Sequence, residues 1–245
     1  MGRAVDDDPL LELAVSHALL REASEHDVAP VVRIYQPSAA MAVFGRRDVR
    51  APGFAKAVES SREAGFVPAA RVTGGRAVAY TPRALVVDIV QRQADAMLEH
   101  DPRFERYGRV FVDAFRPLGI DARVGAVPGE YCAGAHSVNA RGTTKLVGTS
   151  QRVVRNAWLF SALVVVDDAS RLRPVLTEMY AHLGQPFDPR SVGSVADEAP
   201  GVTVADVEAA ILDALGPTDD SDEASSTRAV ARARTLRHHH EPELP

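Results

Sequence analysis

The spacing of apolar residues predicts helices over five parts of the chain. Between Pro9 and Arg21, leucines and alanines recur every three or four residues, which is typical of one apolar helix face. Four later segments have similar spacing and end at or near a glycine, which commonly follows the last turn of a helix. These segments are residues 53–66, 102–119, 169–184 and 203–216.

Short apolar runs predict strands between these helices. Residues 143–156 and 157–166 predict a long hairpin that turns at Arg155-Asn156. Six further strands are predicted over residues 31–36, 40–45, 67–72, 76–80, 84–90 and 120–125. Because several strands follow one another without an intervening helix, we expect an α+β fold with a mixed, mostly antiparallel sheet flanked by helices.

The composition changes after Pro217. The chain becomes acidic and serine-rich, and then rich in arginine and histidine. Such a composition buries too little apolar surface to fold, so we predict a catalytic domain over residues 1–216 and a disordered tail over residues 217–245. The run His238-His239-His240 could chelate a metal, but the composition favours a solvated tail, and we expect no metal site.

Charge and cysteine content narrow the class of protein. The formal charge of −5 argues against binding dominated by nucleic-acid phosphates. No apolar run reaches the roughly 18 residues that a membrane span requires. The single cysteine excludes an internal disulfide, and the acidic N-terminal segment lacks the features of an export signal. We therefore expect a cytoplasmic protein without nucleic-acid or membrane partners.

Two adjacent glycines separate two predicted strands. The segment Thr73-Gly74-Gly75-Arg76 lies between Arg71 and Ala77. One interpretation is a hairpin turn in which glycine supplies a positive φ. The other is a ligand-binding loop, in which bare backbone N–H groups meet an acyl carbonyl or a phosphate and Arg71 or Arg76 supplies charge. Taken alone, the segment favours the turn, because Gly-Gly pairs are common between strands.

Residues 128–152 combine several chemically distinctive groups. They contain the single cysteine, Cys132, and also Lys145, although only two of the 28 lysine and arginine residues are lysines. The small residues Gly148-Thr149-Ser150 follow, which leaves room for a ligand beside the ammonium group. Each group also has an ordinary interpretation: Cys132 as an inert buried thiol, and Lys145 as an exposed side chain on a hairpin strand.

Together the two segments resemble motifs of the biotin/lipoate protein ligase superfamily, specifically the lipoate–protein ligases and the cysteine-dependent octanoyltransferases. Residues 70–78, Ala-Arg-Val-Thr-Gly-Gly-Arg-Ala-Val, are similar to the Arg-Arg-x-Ser/Thr-Gly-Gly-Gly/Arg-Ala-Val motif. Residues 144–152, Thr-Lys-Leu-Val-Gly-Thr-Ser-Gln-Arg, are similar to its Gly-Arg-Lys-hydrophobic-x-Gly pattern and the residues that follow. The resemblance covers roughly residues 8 to 215 and implies a catalytic domain with a class II synthetase/biotin–lipoate ligase-like fold.

The resemblance implies an acyltransferase that attaches an octanoyl or lipoyl group to a lysine of a lipoyl acceptor domain. In the octanoyltransferases a nucleophilic cysteine precedes the motif lysine by about a dozen residues and is followed by a serine, an arrangement that Cys132, Ser137 and Lys145 fit. Cys132 and Lys145 would be the catalytic residues, with Lys145 near the acyl carbonyl, where it stabilises the oxyanion and favours the thiolate. The acceptor would be a lipoyl domain or a glycine-cleavage H-like protein, and an acyl-carrier protein is a further candidate partner. The residues implied to bind the acyl group are Arg71, Thr73, Gly74, Gly75, Arg76, Ala77, Gly148, Thr149 and Ser150.

The chain departs from the family pattern at two places. Tyr80 stands where the family usually has a histidine, and the segment 158–162 replaces a usual His-Gly pair. Two alternatives therefore stay open: an ATP-dependent lipoate–protein ligase, in which Cys132 is incidental, and a non-catalytic acyl-binding or partner-binding relative. We expect no permanently bound cofactor; octanoyl or lipoyl would be the substrate, and ATP and Mg would be needed only by the ligase.

Overall fold

The computed structural model describes residues 8–217 and 223–244 as an α+β fold. Helix α1 covers Pro9–Glu25, and its first turn is capped by the Asp8 side chain, which accepts from the Leu10 N–H. Strands β1 (Val31–Tyr35) and β2 (Met41–Phe44) follow, then α2 (Phe54–Glu63). Next come β3 (Val67–Ala70), β4 (Val78–Tyr80) and β5 (Ala84–Arg92).

The second half of the chain supplies the remaining strands and helices. Helix α3 covers His100–Phe115 and is followed by β6 (Ala122–Val124) and β7 (Val138–Ala140). The predicted hairpin is present as β8 (Thr144–Val154) and β9 (Ala157–Val165), with Asn156 in the turn at a φ of 62°. The later helices are α4 (Ala169–His182), α5 (Val195–Glu198), α6 (Val204–Leu215) and α7 (Glu223–Leu236).

The main sheet has six strands in the order β1-β5-β9-β8-β7-β6, and every neighbouring pair is antiparallel. Helices α3 and α6 share one apolar core with one face of this sheet. Helices α1 and α7 share another core with residues of β5 and β9 on the opposite face. The predicted α+β class and mostly antiparallel sheet are therefore confirmed.

The smaller sheet, in the order β3-β2-β4, decides between the two interpretations of the glycine segment. Strand β2 pairs with β3 in parallel and with β4 antiparallel, so β3 and β4 lie on opposite sides of β2 and do not pair with each other. The hairpin interpretation is therefore wrong. Residues 71–77 form a connection that crosses the end of β2, where they face the main sheet.

The prediction of a disordered tail is wrong for the part of the tail that the structure describes. Helix α7 packs along α1, with Ala229 and Ala233 fully buried between them. Arg232 forms ion pairs with Glu22 and Glu25 of α1 at 3.0 and 2.7 Å. The following 3-10 turn, Arg237–His240, buries His240, so the histidine run is only partly solvated.

No helix in the described ranges is long and apolar enough to cross a membrane.

Candidate active site

Cys132 lies in the loop between β6 and β7, with a positive φ of 44°. Its backbone N–H donates to the Tyr180 hydroxyl at 2.5 Å, and that hydroxyl donates to the Ala77 carbonyl at 2.9 Å. The α4 side chain thereby fixes the cysteine loop against the glycine segment. The Cys132 Sγ accepts from the Arg76 backbone N–H at 3.1 Å and from the Arg71 guanidinium at 3.5 Å.

These contacts determine the ionisation of the thiol. Burial raises the pKa of Cys132, but the charges of Arg71 and Lys145 lower it, as do the hydrogen bonds from Arg76 and Arg71. The net result is a pKa below the usual value for cysteine. Because the thiolate is the nucleophilic form, this environment suits a cysteine that attacks a carbonyl.

The glycine segment leaves space for the sulfur. A Cβ atom on Gly75 would lie 2.6 Å from Cys132 Sγ and 2.7 Å from the Arg71 guanidinium, and Gly75 has a φ of +98°. Only glycine fits this position without strain. The Gly74 N–H is already bonded to the Gln151 carbonyl at 3.1 Å, whereas the Gly75 N–H has no hydrogen-bond partner among residues 8–217 and 223–244.

Lys145 lies close behind the cysteine loop and is almost completely buried. Its ammonium contacts the Glu130 carboxylate at 2.8 Å and donates to the Tyr131 and Cys132 carbonyls at 2.9 and 3.1 Å. Glu130 also accepts from the Ser137 hydroxyl at 2.7 Å. Lys145 is therefore a buried, fully paired group that holds the cysteine loop, and the interpretation as an exposed lysine is wrong.

A largely apolar cavity extends from Cys132 between the two sheets. We call this space the acyl cavity. It is lined by α1, by strands of both sheets and by residues of the glycine segment. Its lining residues include Leu13, Ser16, Val43, Arg71, Thr73, Tyr80, Val86, Asp88, Cys132, Gly148, Thr149, Ser150, Leu159, Ser161, Leu163 and His240.

The structure brings most of the predicted site residues to this cavity, although not all of them face it. Arg71, Thr73 and the residues 148–150 line it with Cys132. Arg76 contributes its backbone N–H to Cys132, but its side chain pairs with Asp48 at 3.3 Å. The Ala77 carbonyl receives the Tyr180 hydroxyl, and Lys145 lies outside the lining.

Sequence reasoning missed Glu130 and Tyr180. Glu130 is two residues from the single cysteine, and a search for a counter-ion to Lys145 of β8 would have found it. Tyr180 gave no such signal, because it comes from a helix about fifty residues later and one aromatic residue in an amphipathic helix predicts only packing.

Comparisons with known proteins agree with this fold. The family described as "Lipoyl protein ligase A/B catalytic domain" matches residues 8–216. A crystal structure of lipoate-protein ligase A bound with ATP superposes with a TM-score of 0.73, 22% identity and coverage of 94% of this chain and 89% of that chain. A putative lipoate protein ligase from T. acidophilum with bound lipoic acid gives a TM-score of 0.72, 20% identity and coverage of 96% and 92%.

Two curated relatives match over a shorter stretch, and both are named "Octanoyl-[GcvH]:protein N-octanoyltransferase". The protein from Exiguobacterium sp. is 30% identical over 113 residues, which is 46% of this chain and 40% of the relative. The protein from Geobacillus kaustophilus is 23% identical over 143 residues, which is 58% of this chain and 50% of the relative. The matched stretch thus spans half or less of each curated relative.

The fold is the one found in lipoate–protein ligases. Because the family match extends over most of the chain, we conclude that this chain belongs to the lipoyl protein ligase A/B catalytic domain family.

Proposed function

We propose that the protein transfers an octanoyl or lipoyl group to a lysine of a lipoyl acceptor domain through a thioester on Cys132. The observation that carries this proposal is the environment of the sulfur, which receives only hydrogen-bond donors and opens onto an apolar cavity. The names of the curated relatives support the same chemistry and suggest a glycine-cleavage H-like protein as donor or acceptor. An acyl-carrier protein is an alternative donor.

In the first step the Cys132 thiolate attacks the carbonyl of the donor's acyl group. A carbon–sulfur bond to Cys132 forms, the bond to the donor's heteroatom breaks, and the leaving group takes a proton. Gly75 packs against the sulfur and its N–H has no partner among the described residues, so we assign this N–H as the backbone donor to the developing oxyanion. Arg71 adds positive charge on the same side.

In the second step the neutral amine of the acceptor lysine attacks the thioester carbonyl. The amide bond forms, the carbon–sulfur bond breaks, and Cys132 returns to its starting state when the amine's proton is released. Lys145 does not touch the acyl carbonyl in this scheme. It keeps a positive charge behind the loop and fixes the Tyr131 and Cys132 carbonyls, so it is a positioning residue.

Intact-mass measurement tests the proposal directly. Mixing the protein with an octanoyl thioester and no acceptor should add one octanoyl group, which hydroxylamine removes and which is absent in Cys132→Ala. Adding a lipoyl domain should then move the group to its lysine. If Cys132→Ala acylates the domain as fast as the wild type and needs ATP, the protein is a ligase. If neither condition gives acylation, the chain is a binding protein. The expected cytoplasmic location remains a prediction.

A further inference from the structure

Both departures from the family pattern lie in the acyl cavity. Tyr80 is at the end of β4, and Ser161, from the segment that lacks the His-Gly pair, is in the middle of β9; both side chains line the cavity. The departures are therefore concentrated where the acyl chain would lie. The Cys132 loop, the glycine segment and Lys145 keep their contacts with one another, so the altered positions concern the substrate rather than the reacting groups.

The sheet places a row of polar residues across the floor of the cavity. Ser161 of β9 is paired with Ser150 of β8 on one side and with Asp88 of β5 on the other. Asp88 is 1% exposed, and its Oδ2 accepts from Ser16 and contacts Arg33 at 3.5 Å. Neighbouring strands put such paired residues on the same face, so the row lies side by side beneath the ligand space.

Several polar atoms of residues that line the cavity have no hydrogen-bond partner among the described residues. They include the Tyr80 hydroxyl, the Ser161 hydroxyl, Asp88 Oδ1 and His240 Nε2, of which His240 Nε2 is fully enclosed. Three of the four residues are at most 5% exposed: Tyr80, Asp88 and His240. Buried polar atoms are normally paired, and leaving them unpaired costs free energy. A plain alkyl chain would leave all four unpaired.

His240 adds a defined acceptor to this set. Its Nδ1 lies 2.8 Å from the Ala70 carbonyl, which can only accept, so Nδ1 carries the proton. Burial lowers the pKa of His240 to about 4, so the ring is neutral at pH 7 and Nε2 has a free lone pair. His240 lies outside residues 8–216, which the family model matches.

We propose that the acyl cavity selects an acyl chain that carries a hydroxyl group, rather than an unsubstituted octanoyl chain. This inference rests on the proposed transferase function and specifies its substrate class. A hydroxyl both donates and accepts, so it can donate to Asp88 or His240 and accept from Tyr80 or Ser161. A site built to bind a substrate hydroxyl discriminates strongly against the analogue that lacks it.

The test compares octanoyl thioesters that differ only in one hydroxyl group, placed in turn at each carbon from the third to the eighth. The rate of adduct formation on Cys132 is measured by intact mass. We expect the best hydroxylated donor to react at least about tenfold faster than the octanoyl donor. Equal rates for octanoyl and every hydroxylated donor would overturn the inference and indicate that water satisfies the polar wall.

Matched variants identify the origin of the preference. Tyr80→Phe and Ser161→Ala each remove one hydroxyl from the cavity and should bring the rate ratio towards one. Tyr107→Phe removes a hydroxyl from the core on the other face of the main sheet and should keep the wild-type ratio. An unchanged ratio in both cavity variants would contradict the assigned contacts.

A binding measurement separates this inference from the transferase function. Free octanoic acid and the hydroxyoctanoic acids are compared by the thermal stabilisation that they confer on the full chain, which requires no chemistry at Cys132. A larger shift with a hydroxyoctanoic acid supports the inference even if no adduct forms and the transferase proposal fails. The inference is rejected if octanoic acid and the hydroxyoctanoic acids give equal thermal shifts or none, and the octanoyl and hydroxyoctanoyl donors also give equal adduct rates or no adduct.

Discussion

Cys132 and Lys145 lie on two sides of one loop, but their surroundings are opposite in kind. The sulfur contacts donors, a backbone N–H and a guanidinium, and faces the cavity. The ammonium contacts acceptors, a carboxylate and two carbonyls, and is 1% exposed. The environment of Cys132 favours a thiolate that can react. The environment of Lys145 holds a fully paired ammonium group in a fixed position. Under the proposed mechanism the sulfur performs the chemistry, and the ammonium holds the loop that carries the sulfur.

The largest effect is expected from Gly75→Ala, which disturbs the cysteine side alone. The new Cβ would lie 2.6 Å from Cys132 Sγ at a φ of +98°, so the loop must move and its N–H groups leave the sulfur. We expect adduct formation to fall by a factor of about 100 or more, as for the loss of an oxyanion donor. Stopped-flow or quenched intact-mass kinetics measure it. Gly119→Ala is the control, because it also has a positive φ but an added Cβ meets nothing within 4 Å.

Glu130→Gln breaks the lysine side. It removes the charge that pairs with the buried Lys145 ammonium, and unpairing a buried ion costs about 3–5 kcal/mol of unfolding free energy. Urea unfolding measures this loss. Glu198→Gln removes the carboxylate partner of the half-exposed Arg141 and should cost at most about 1 kcal/mol. Similar losses in the two variants would show that Lys145 is not held as the comparison states.

Lys145→Arg tests whether the lysine side needs a compact cation. The planar guanidinium cannot replace an ammonium enclosed by three oxygen atoms without displacing the loop. We expect most of the transfer activity to be lost, measured as acceptor acylation at saturating donor. Lys56→Arg, at the other lysine and on the exposed surface of α2, should retain it. Full activity in Lys145→Arg would show that the site requires only a positive charge at this position and not the compact shape of the ammonium group.

The pH dependence of adduct formation sharpens the comparison. Arg71 and Lys145 hold the pKa of Cys132 below its usual value. The thiolate therefore forms at a lower pH than the thiolate of an ordinary cysteine does. The rate should rise with pH and level off below about pH 8.5, the usual thiol pKa. Arg71→Met removes one charge and should move this midpoint to higher pH. An unchanged midpoint would show that Arg71 does not lower the pKa of Cys132.

The smallest effect is expected from the C-terminal segment, which lies outside the cysteine–lysine pair. Removing residues 218–245 exposes the apolar face of α1 that Ala229 and Ala233 cover. Each kcal/mol lost lowers the melting temperature by about 2–4 °C in a chain of this size, so we expect a drop of several degrees in calorimetry. His240→Ala should reproduce part of it, whereas exposed His238→Ala should not. An unchanged melting temperature after truncation would contradict the packing of α7.

Periodicity within single segments predicted most helices and strands correctly. It could not predict which distant segments pair with one another. The long helices and the β8–β9 hairpin follow from periodicity within one segment. The glycine segment was open to two interpretations because the answer depends on β2, which lies between its flanking strands in space. Helix α7 was missed because its only fully buried residues in the described part of the chain are two alanines, and much of its attachment comes from ion pairs that its composition does not reveal.

The candidate site shows the same division. Cys132 and Lys145 could be selected by their rarity and by the family motif, but the sequence placed Lys145 beside the ligand, whereas the structure puts it behind the loop. Its burial depends on Glu130, and an ion pair in a folded loop has no periodic signature. His240 was assigned to a solvated tail because nothing in the sequence indicates that the chain returns to the acyl cavity.

Because Cys132 is the only cysteine of the chain, any thiol-specific reagent reports on this one position. A maleimide fluorophore or a spin label attaches there without prior mutagenesis, and an acylated sulfur is blocked. Loss of thiol labelling can therefore report the fraction of acylated protein over time, measured after the chain is separated from donor and acceptor.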